Sequence, residues 1–267
     1  MSIYLDEKNP GKHKPFEDAS PDVVAYVRYL EVIAGKSANT AFSYYCDLRG
    51  FSRFMKRRRG LVPADCELKD IDPKGLDAAF WASVTKEDIY EYLYFLGSEC
   101  GNKKSSTARR LASLHGFYDY LVNQVNKLEA DPTAAIHPPK QDKVLPKYLT
   151  AEQSMDLLES TQFQSDFPER DYCMVVLFLN CGMRLAELVG MDLEDIDMEN
   201  RQIRLFGKGH KERMVYLNDA CMEALQLYLN KRNTMEGLLP KERAVFITRR
   251  RKERIGNRRV EQLVTGA

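Results

Sequence analysis

The chain has 267 residues, 44% of them hydrophobic and 30% charged, which is enough for a buried core and excludes a disordered or fibrous protein. Its 40 Lys and Arg against 39 Asp and Glu leave a net charge of +1, so any attraction to nucleic acid must come from local patches rather than the whole molecule. No apolar run approaches the ~20 residues a membrane helix needs, and the N-terminal Met1-Ser2-Ile3-Tyr4-Leu5-Asp6-Glu7 lacks a signal peptide's apolar core, so a cytoplasmic protein of one large or two small domains is expected.

Residues 1–20 are polar, with Pro10 and Pro15, and read as a flexible arm. From Pro21, Val23, Val24, Val27, Leu30 and Ile33 recur at helical spacing until Gly35. Ser37 or Asn39 is placed to cap a second helix, on which Phe42, Tyr45, Leu48, Phe51, Phe54 and Met55 share one face. That helix ends in the basic run Lys56-Arg57-Arg58-Arg59 before Gly60. Residues 61–84 are mixed, with a short apolar piece at Phe80-Trp81. Thr85 then precedes Glu87 and Asp88 as a capped start, and Ile89, Tyr92, Leu93 and Leu96 form the next stripe. A polar break over residues 101–106 leads to a helix with Ala108, Leu111, Leu114, Phe117, Tyr118 and Leu121 inward, and Arg109, Arg110 and His115 facing elsewhere.

Residues 131–148 hold Pro132, Pro138, Pro139 and Pro146, which interrupt helix and force extended backbone before them. They read as a linker between a helical region at 21–130 and a second region at 149–267. Thr150 to Gln153 has the form of a capping box. Residues 170–180 are apolar all round through Cys173-Met174-Val175-Val176-Leu177-Phe178-Leu179, which fits a buried helix better than a buried strand. A new helix begins after Gly182, near Met183.

The clear β signal comes next. Residues 202–206 and 213–217 alternate around Gly207-Lys208-Gly209-His210-Lys211, which predicts a hairpin. Residues 220–229 read as helix, 244–247 as a short extended piece, and 257–263 as the start of another helix. A second basic run, Arg249-Arg250-Arg251-Lys252, joins the first as a candidate for phosphate contact, beside the plainer reading of each as a solvated helix end or loop. The six cysteines form no CxxC pair and are expected as free thiols, with no zinc site.

Two positions carry chemistry on pattern. Arg184 follows Gly182 at the start of a helix, where a guanidinium adds a bidentate phosphate donor to the free N–H groups of the helix end. Glu187 lies one turn on and is placed to brace it. Lys208 sits between two glycines at the hairpin turn, where backbone can approach a ligand closely. On pattern alone, a surface arginine and a surface hairpin lysine are the plainer reading.

The order of motifs changes that. Leu179-Asn180-Cys181-Gly182-Met183-Arg184-Leu185-Ala186-Glu187-Leu188 resembles the first arginine motif of the tyrosine recombinase (phage integrase, XerC/XerD-like) family. Gly207-Lys208-Gly209-His210-Lys211-Glu212-Arg213 is similar to the family's lysine hairpin. Asn39-Thr40 with Tyr44, Asp47-Leu48 and Phe51, then Ser106-Thr107-Ala108-Arg109-Arg110-Leu111, resemble its core-binding domain, and Asp131-Pro132-Thr133 to Leu145-Pro146-Lys147 its linker. The resemblance implies a mainly α protein: a helical, SAM-like core-binding domain at 21–130, and at 149–267 a mostly helical catalytic domain with a small antiparallel β-sheet.

The same resemblance implies site-specific recombination of double-stranded DNA through a 3′-phosphotyrosine, with no cofactor and no metal, by protomers that assemble as tetramers on DNA and grip it as a clamp. Arg184 would stabilise transition-state charge, Lys208 protonate the leaving 5′-oxygen, and Glu187 orient Arg184. Asn39, Thr40, Ser105, Ser106, Thr107, Arg109, Arg110, Lys211 and Arg213 would contact DNA, with helix capping a competing role for Ser105, Ser106 and Thr107. The sequence departs from the family after the hairpin. His210 and Arg213 spell His-x-x-Arg only within the hairpin, no histidine follows, and the tyrosines beyond Arg184, Tyr216 and Tyr228, read as packing residues. The nucleophile is therefore expected to be absent from this chain, as in a C-terminally truncated, inactive recombinase, or alternatively a non-catalytic protein occupying recombination sites.

Overall fold

The computed structural model describes residues 16, 18–138, 140, 145, 148–163, 165–207, 209 and 211–265, the side chains of 162 and 163 excepted. The chain divides into two compact units between Val144 and Leu145.

The first unit is helical: α1 Pro21–Val32, α2 Ala38–Arg58, α3 Ala78–Ala82, α4 Lys86–Ser98 and α5 Lys104–Asp119, the last continued by a wider π turn over Tyr120–Gln124. The starts follow local chemistry. Pro21 opens α1 with its fixed φ, and the Ser37 hydroxyl, rather than Asn39, accepts the Thr40 N–H at the start of α2. Thr85 and Asp88 close a reciprocal capping box on α4. The apolar stripes of α1, α2, α4 and α5 meet around Trp81, which is fully buried with Phe51 and Phe117 rings 6.5 and 5.0 Å away. Phe42, expected on the apolar face of α2, is instead exposed, its ring 6.2 Å from that of the buried Tyr45.

Three further expectations are corrected in this unit. The polar break ends early, since α5 starts at Lys104, so Ser105, Ser106 and Thr107 lie within its first turn and cap nothing. Arg110 does not face outward but is buried with Thr107. The segment after Asp131 also packs before any linker begins: Thr133 and Ile136 are buried, and His115 holds the Ile136 carbonyl and the Thr133 hydroxyl through its two ring nitrogens.

The basic run 56–59 is largely committed within the unit. Arg58 and Arg59 bind Asp88 at 2.9 and 2.5 Å, and Lys56 donates to the Asp72 carbonyl. Burial opposes ionisation of Asp88, yet its backbone and arginine hydrogen bonds hold the carboxyl below its ordinary value. These contacts favour the structural reading of that run.

The second unit contains α6 Ala151–Phe163, α7 Pro168–Cys181, α8 Leu185–Gly190, α9 Asp219–Asn233 and α10 Asn257–Thr265 around a three-stranded antiparallel sheet. Thr150 and Gln153 form the predicted capping box. The all-round apolar segment is helix α7, with Cys173 to Leu177 buried, and Gly182 ends it at φ +55. The sheet has the expected hairpin, β2 Gln202–Phe206 with β3 Glu212–Tyr216, and one strand the pattern did not reveal, the two-residue β1 Ile196–Asp197. A strand that short leaves no alternation to read. Ile203 and Leu205 point into the core, which sends their partners Val215 and Arg213 to the same side.

Residues 244–247 run extended and fully buried, held by Arg232, whose guanidinium donates to the Ala244, Val245 and Glu242 carbonyls. Tyr228 packs there as expected, its hydroxyl donating to the Val245 carbonyl at 2.9 Å. Tyr216 does not pack: it is 74% exposed, on the sheet face opposite Arg213. Among the described residues no helix is long and apolar enough to cross a membrane, and all six cysteines are free.

Candidate functional site: an arginine–glutamate–arginine cluster

The feature that organises the second unit's surface is one carboxylate beneath two guanidinium groups. Glu187 lies in the first turn of α8 and is 4% exposed. One oxygen, Oε2, accepts the Arg184 backbone N–H at 2.9 Å and Arg213 Nη2 at 2.8 Å. The other, Oε1, accepts Arg184 Nη1 at 2.8 Å. Three donors on one buried carboxylate satisfy it without water. Burial opposes ionisation of Glu187, but the hydrogen bonds from Arg213 and Arg184 outweigh it and hold the carboxyl down at about 2.

Each partner arrives for a local reason. Arg184 is the residue before α8, extended at φ −78 and ψ 150, so its backbone N–H is free for Glu187 to accept. Arg213 pairs with Leu205 in the hairpin register, which turns it to the inner face. There Nη2 also donates to the Gly182 carbonyl at 3.2 Å, tying the end of α7 to the sheet. Slipping the hairpin by one residue would send Arg213 to the solvent face and dissolve the cluster.

The two guanidinium groups then differ in use. Arg213, 39% exposed, is turned inward and uses Nη2 on both Glu187 and the Gly182 carbonyl. Arg184 is 72% exposed and uses one nitrogen on Glu187, so the rest of its donor fork faces outward. α8 is only six residues long, and the arginine rather than the helix end is the main donor here.

Gly207, at the end of β2, comes against this cluster. A Cβ there would lie 3.3 Å from Glu187 Oε1 and 3.8 Å from Arg184 Nη1, so the absence of a side chain lets the strand end approach the carboxylate. Its N–H donates to the Lys211 carbonyl at 2.8 Å, and Gly209 turns the hairpin at φ +77. Lys208 and His210 lie outside the described residues. Lys211 is exposed.

In the first unit Asn39, Ser105 and Arg109 are exposed and Thr40 and Ser106 half-buried. Arg109 binds Asp47 through both terminal nitrogens, one at 2.9 Å, and Arg110 lies 3.6 Å from the same carboxylate. Burial pushes the Asp47 carboxyl above its ordinary value in spite of both arginines. Sequence reasoning named Asp47 only within the family resemblance and missed its arginine partners, although its place one helix turn before Phe51 on the buried face of α2 was the available signal. Arg110, predicted as a surface contact, is buried against Asp47, while Arg109 keeps about half of its side chain outside; Thr107, also predicted as a surface contact, is buried as well.

Comparison with known proteins gives a consistent answer. The Phage integrase family model matches residues 147–267. Tyrosine recombinase XerC of Caldanaerobacter subterraneus subsp. tengcongensis is 39% identical over 244 residues, 91% of this chain and 67% of the relative. Tyrosine recombinase XerC of Myxococcus xanthus is 33% identical over 225 residues, 84% of this chain and 68% of the relative. The chain thus spans about two thirds of the length of these curated relatives. Among solved structures, a lambda integrase tetramer bound to a Holliday junction matches with a TM-score of 0.61 at 16% identity, over 97% of this chain and 70% of the other. The Tn1549 transposon integrase in complex with circular intermediate DNA matches at 0.54 and 18%, over 88% and 73%. Identities that low speak to fold.

Proposed function

The chain belongs to the tyrosine recombinase family, and from that premise we propose that it acts in site-specific DNA recombination, engaging the backbone of double-stranded DNA with Arg184 at the scissile phosphate. The observation that carries this reading is the outward-facing guanidinium of Arg184, braced from below by Glu187. A donor fixed before the substrate arrives costs no reorganisation when charge builds on the non-bridging oxygens.

In the reaction, a tyrosine oxygen attacks phosphorus and the 5′-oxygen departs, leaving a 3′-phosphotyrosine. Arg184 stabilises the charge on the phosphoryl oxygens. Lys208 supplies the proton the 5′-oxygen takes. Glu187 and Arg213 touch no substrate. They are positioning residues that set the angle at which Arg184 leaves the protein. Residues 21–130 act as the core-binding domain and 149–267 as the catalytic domain, with 131–148 between them, its first part through Ile136 packed into the core of the former.

Backbone contacts come from Asn39, Thr40, Ser105, Ser106 and Arg109 in the first unit and from Lys211 beside Arg184 in the second. Thr107 and Arg110 are too buried to share in this, and Arg213 is occupied by Glu187. Partner protomers assemble on the DNA, as the lambda integrase tetramer does on its junction.

These 267 residues also favour a second reading, a DNA-binding protein that occupies recombination sites without cutting. Tyr228 is buried with its hydroxyl bonded, and Tyr216 faces away from the cluster. Neither is placed to attack a phosphate held by Arg184. We therefore expect the 267-residue polypeptide to bind duplex DNA and to give no covalent adduct with a nicked suicide substrate. An adduct that survives denaturation and disappears in Tyr216→Phe or Tyr228→Phe would overturn this assignment.

A further inference from the structure

The thiols of Cys181 and Cys221 lie 3.8 Å apart, Sγ to Sγ, where the last residue of α7 meets the first turn of α9. The two helix ends are clasped at this point. Asn218, the cap of α9, donates to the Asn180 side chain at 2.7 Å and accepts the Cys221 N–H at 2.9 Å. Cys181 is half-buried and Cys221 fully buried, so a small solute reaches the pair from the Cys181 side. A disulfide needs its sulfurs about 2.0 Å apart, so the gap must close by about 1.8 Å. The residue after Cys181 is Gly182, in a left-handed conformation that a glycine can leave at little cost. Its carbonyl accepts from Arg213, and Arg184 follows two residues later.

We propose that Cys181 and Cys221 form a peroxide-oxidisable dithiol, and that closing the disulfide draws the end of α7 toward α9 and shifts the seat of Arg184. This goes beyond the recombinase reading, which uses neither thiol. The chemistry balances with hydrogen peroxide as the oxidant. The Cys181 sulfur attacks one peroxide oxygen, the O–O bond breaks, and the departing hydroxide leaves as water with the thiol proton. Cys221 then attacks the sulfenic sulfur of Cys181, the S–O bond breaks, and a second water carries off the Cys221 proton. Two thiols lose two electrons and one peroxide becomes two waters.

Access sets the order, since Cys181 is the half-buried thiol and Cys221 has no exposed surface. Their shared hydrogen bond pushes Cys181 above its ordinary value, which slows its attack on peroxide, and pulls Cys221 below its own, which favours the resolving step. Cys173 is the competing thiol, but it is buried without exposure and burial pushes it well up.

The test needs no DNA, so its outcome is separate from the recombinase assignment. The full chain is treated with hydrogen peroxide, blocked with an alkylating agent and mapped by peptide mass, with hydrogen exchange followed in parallel. The expected result is a peptide pair linked through Cys181 and Cys221, about 2 Da lighter than the two free thiol peptides. The link should be absent in Cys181→Ser and in Cys221→Ala, retained in Cys173→Ala, and reversed by dithiothreitol. Exchange in the peptide spanning residues 182–188 should rise on oxidation and return on reduction. Direct over-oxidation of Cys181 without a link, a link through Cys173, or a Cys181–Cys221 link that leaves exchange over 182–188 unchanged would each overturn the proposal.

Discussion

Glu187→Gln is expected to destabilise the second unit by about 2–3 kcal/mol at neutral pH. The carboxyl sits at about 2 rather than 4.5. Each tenfold change in proton affinity corresponds to about 1.4 kcal/mol, which sets a ceiling of about 3.4 kcal/mol. Arg184 and Arg213 are 72% and 39% exposed and recover hydration when the charge is lost, which lowers the figure. The amide cannot copy the site. Glu187 accepts three N–H groups with two oxygens, whereas glutamine has one oxygen and would point its NH2 at a donor. The pH dependence follows from the depressed folded-state value. The stabilisation is complete above the ordinary carboxylate range and is lost as pH falls toward 2. The gap between wild type and variant should be full above about pH 4.5 and close near pH 2. Hydrogen exchange of the α7 amides across that range measures it, and a gap constant with pH would show that the carboxylate charge is not what holds the cluster.

The second large effect is on DNA. Four cationic contacts are proposed: Arg109, Arg184, Lys208 and Lys211. Neutralising four phosphates predicts a slope of log affinity against log salt of about −3.6, or roughly a 10²-fold loss between about 50 and 200 mM salt. Had Arg110 and Arg213 also reached the backbone, six contacts would give a slope of about −5.4 and a loss above roughly 10³-fold. A fluorescence-anisotropy titration at several salt concentrations separates the two, and an affinity indifferent to salt would remove the backbone-contact reading altogether.

How much of this the sequence discloses depends on the kind of interaction. Helices α1, α2 and α4 are legible because periodic apolar residues and adjacent caps such as Thr85 say the same thing locally, α6 shows its start through the Thr150 capping box, and α7 is read from an all-round apolar run whose length favours helix over strand. The β2–β3 hairpin is legible from its alternation around two glycines. Position in the chain also identifies Arg184 and Glu187 as one turn apart, and their salt bridge is what that spacing predicts.

What is hidden is the destination of long charged side chains. Arg110 and Arg213 read like Arg109 and Arg184 in a string of letters. Arg110 is buried against Asp47 from 63 residues away, and Arg213 is turned inward onto Glu187 by the pairing register of a hairpin. Arg232 likewise counts as surface charge in the composition, yet it supports the buried segment at 244–247 through carbonyls that follow it in the chain. Tyr216 shows the same limit for an aromatic residue: β3 alternates correctly, but the pattern cannot say that its outer face stays uncovered.

The proposed function depends on one exposed guanidinium meeting a phosphate of the DNA backbone. Arg184→Ala, titrated against duplex DNA beside the wild type over the same salt series, should bind more weakly and with a slope less steep by about one unit. Weaker binding with the slope unchanged, or binding no weaker at all, would mean that Arg184 meets no phosphate, and the proposed site would not stand.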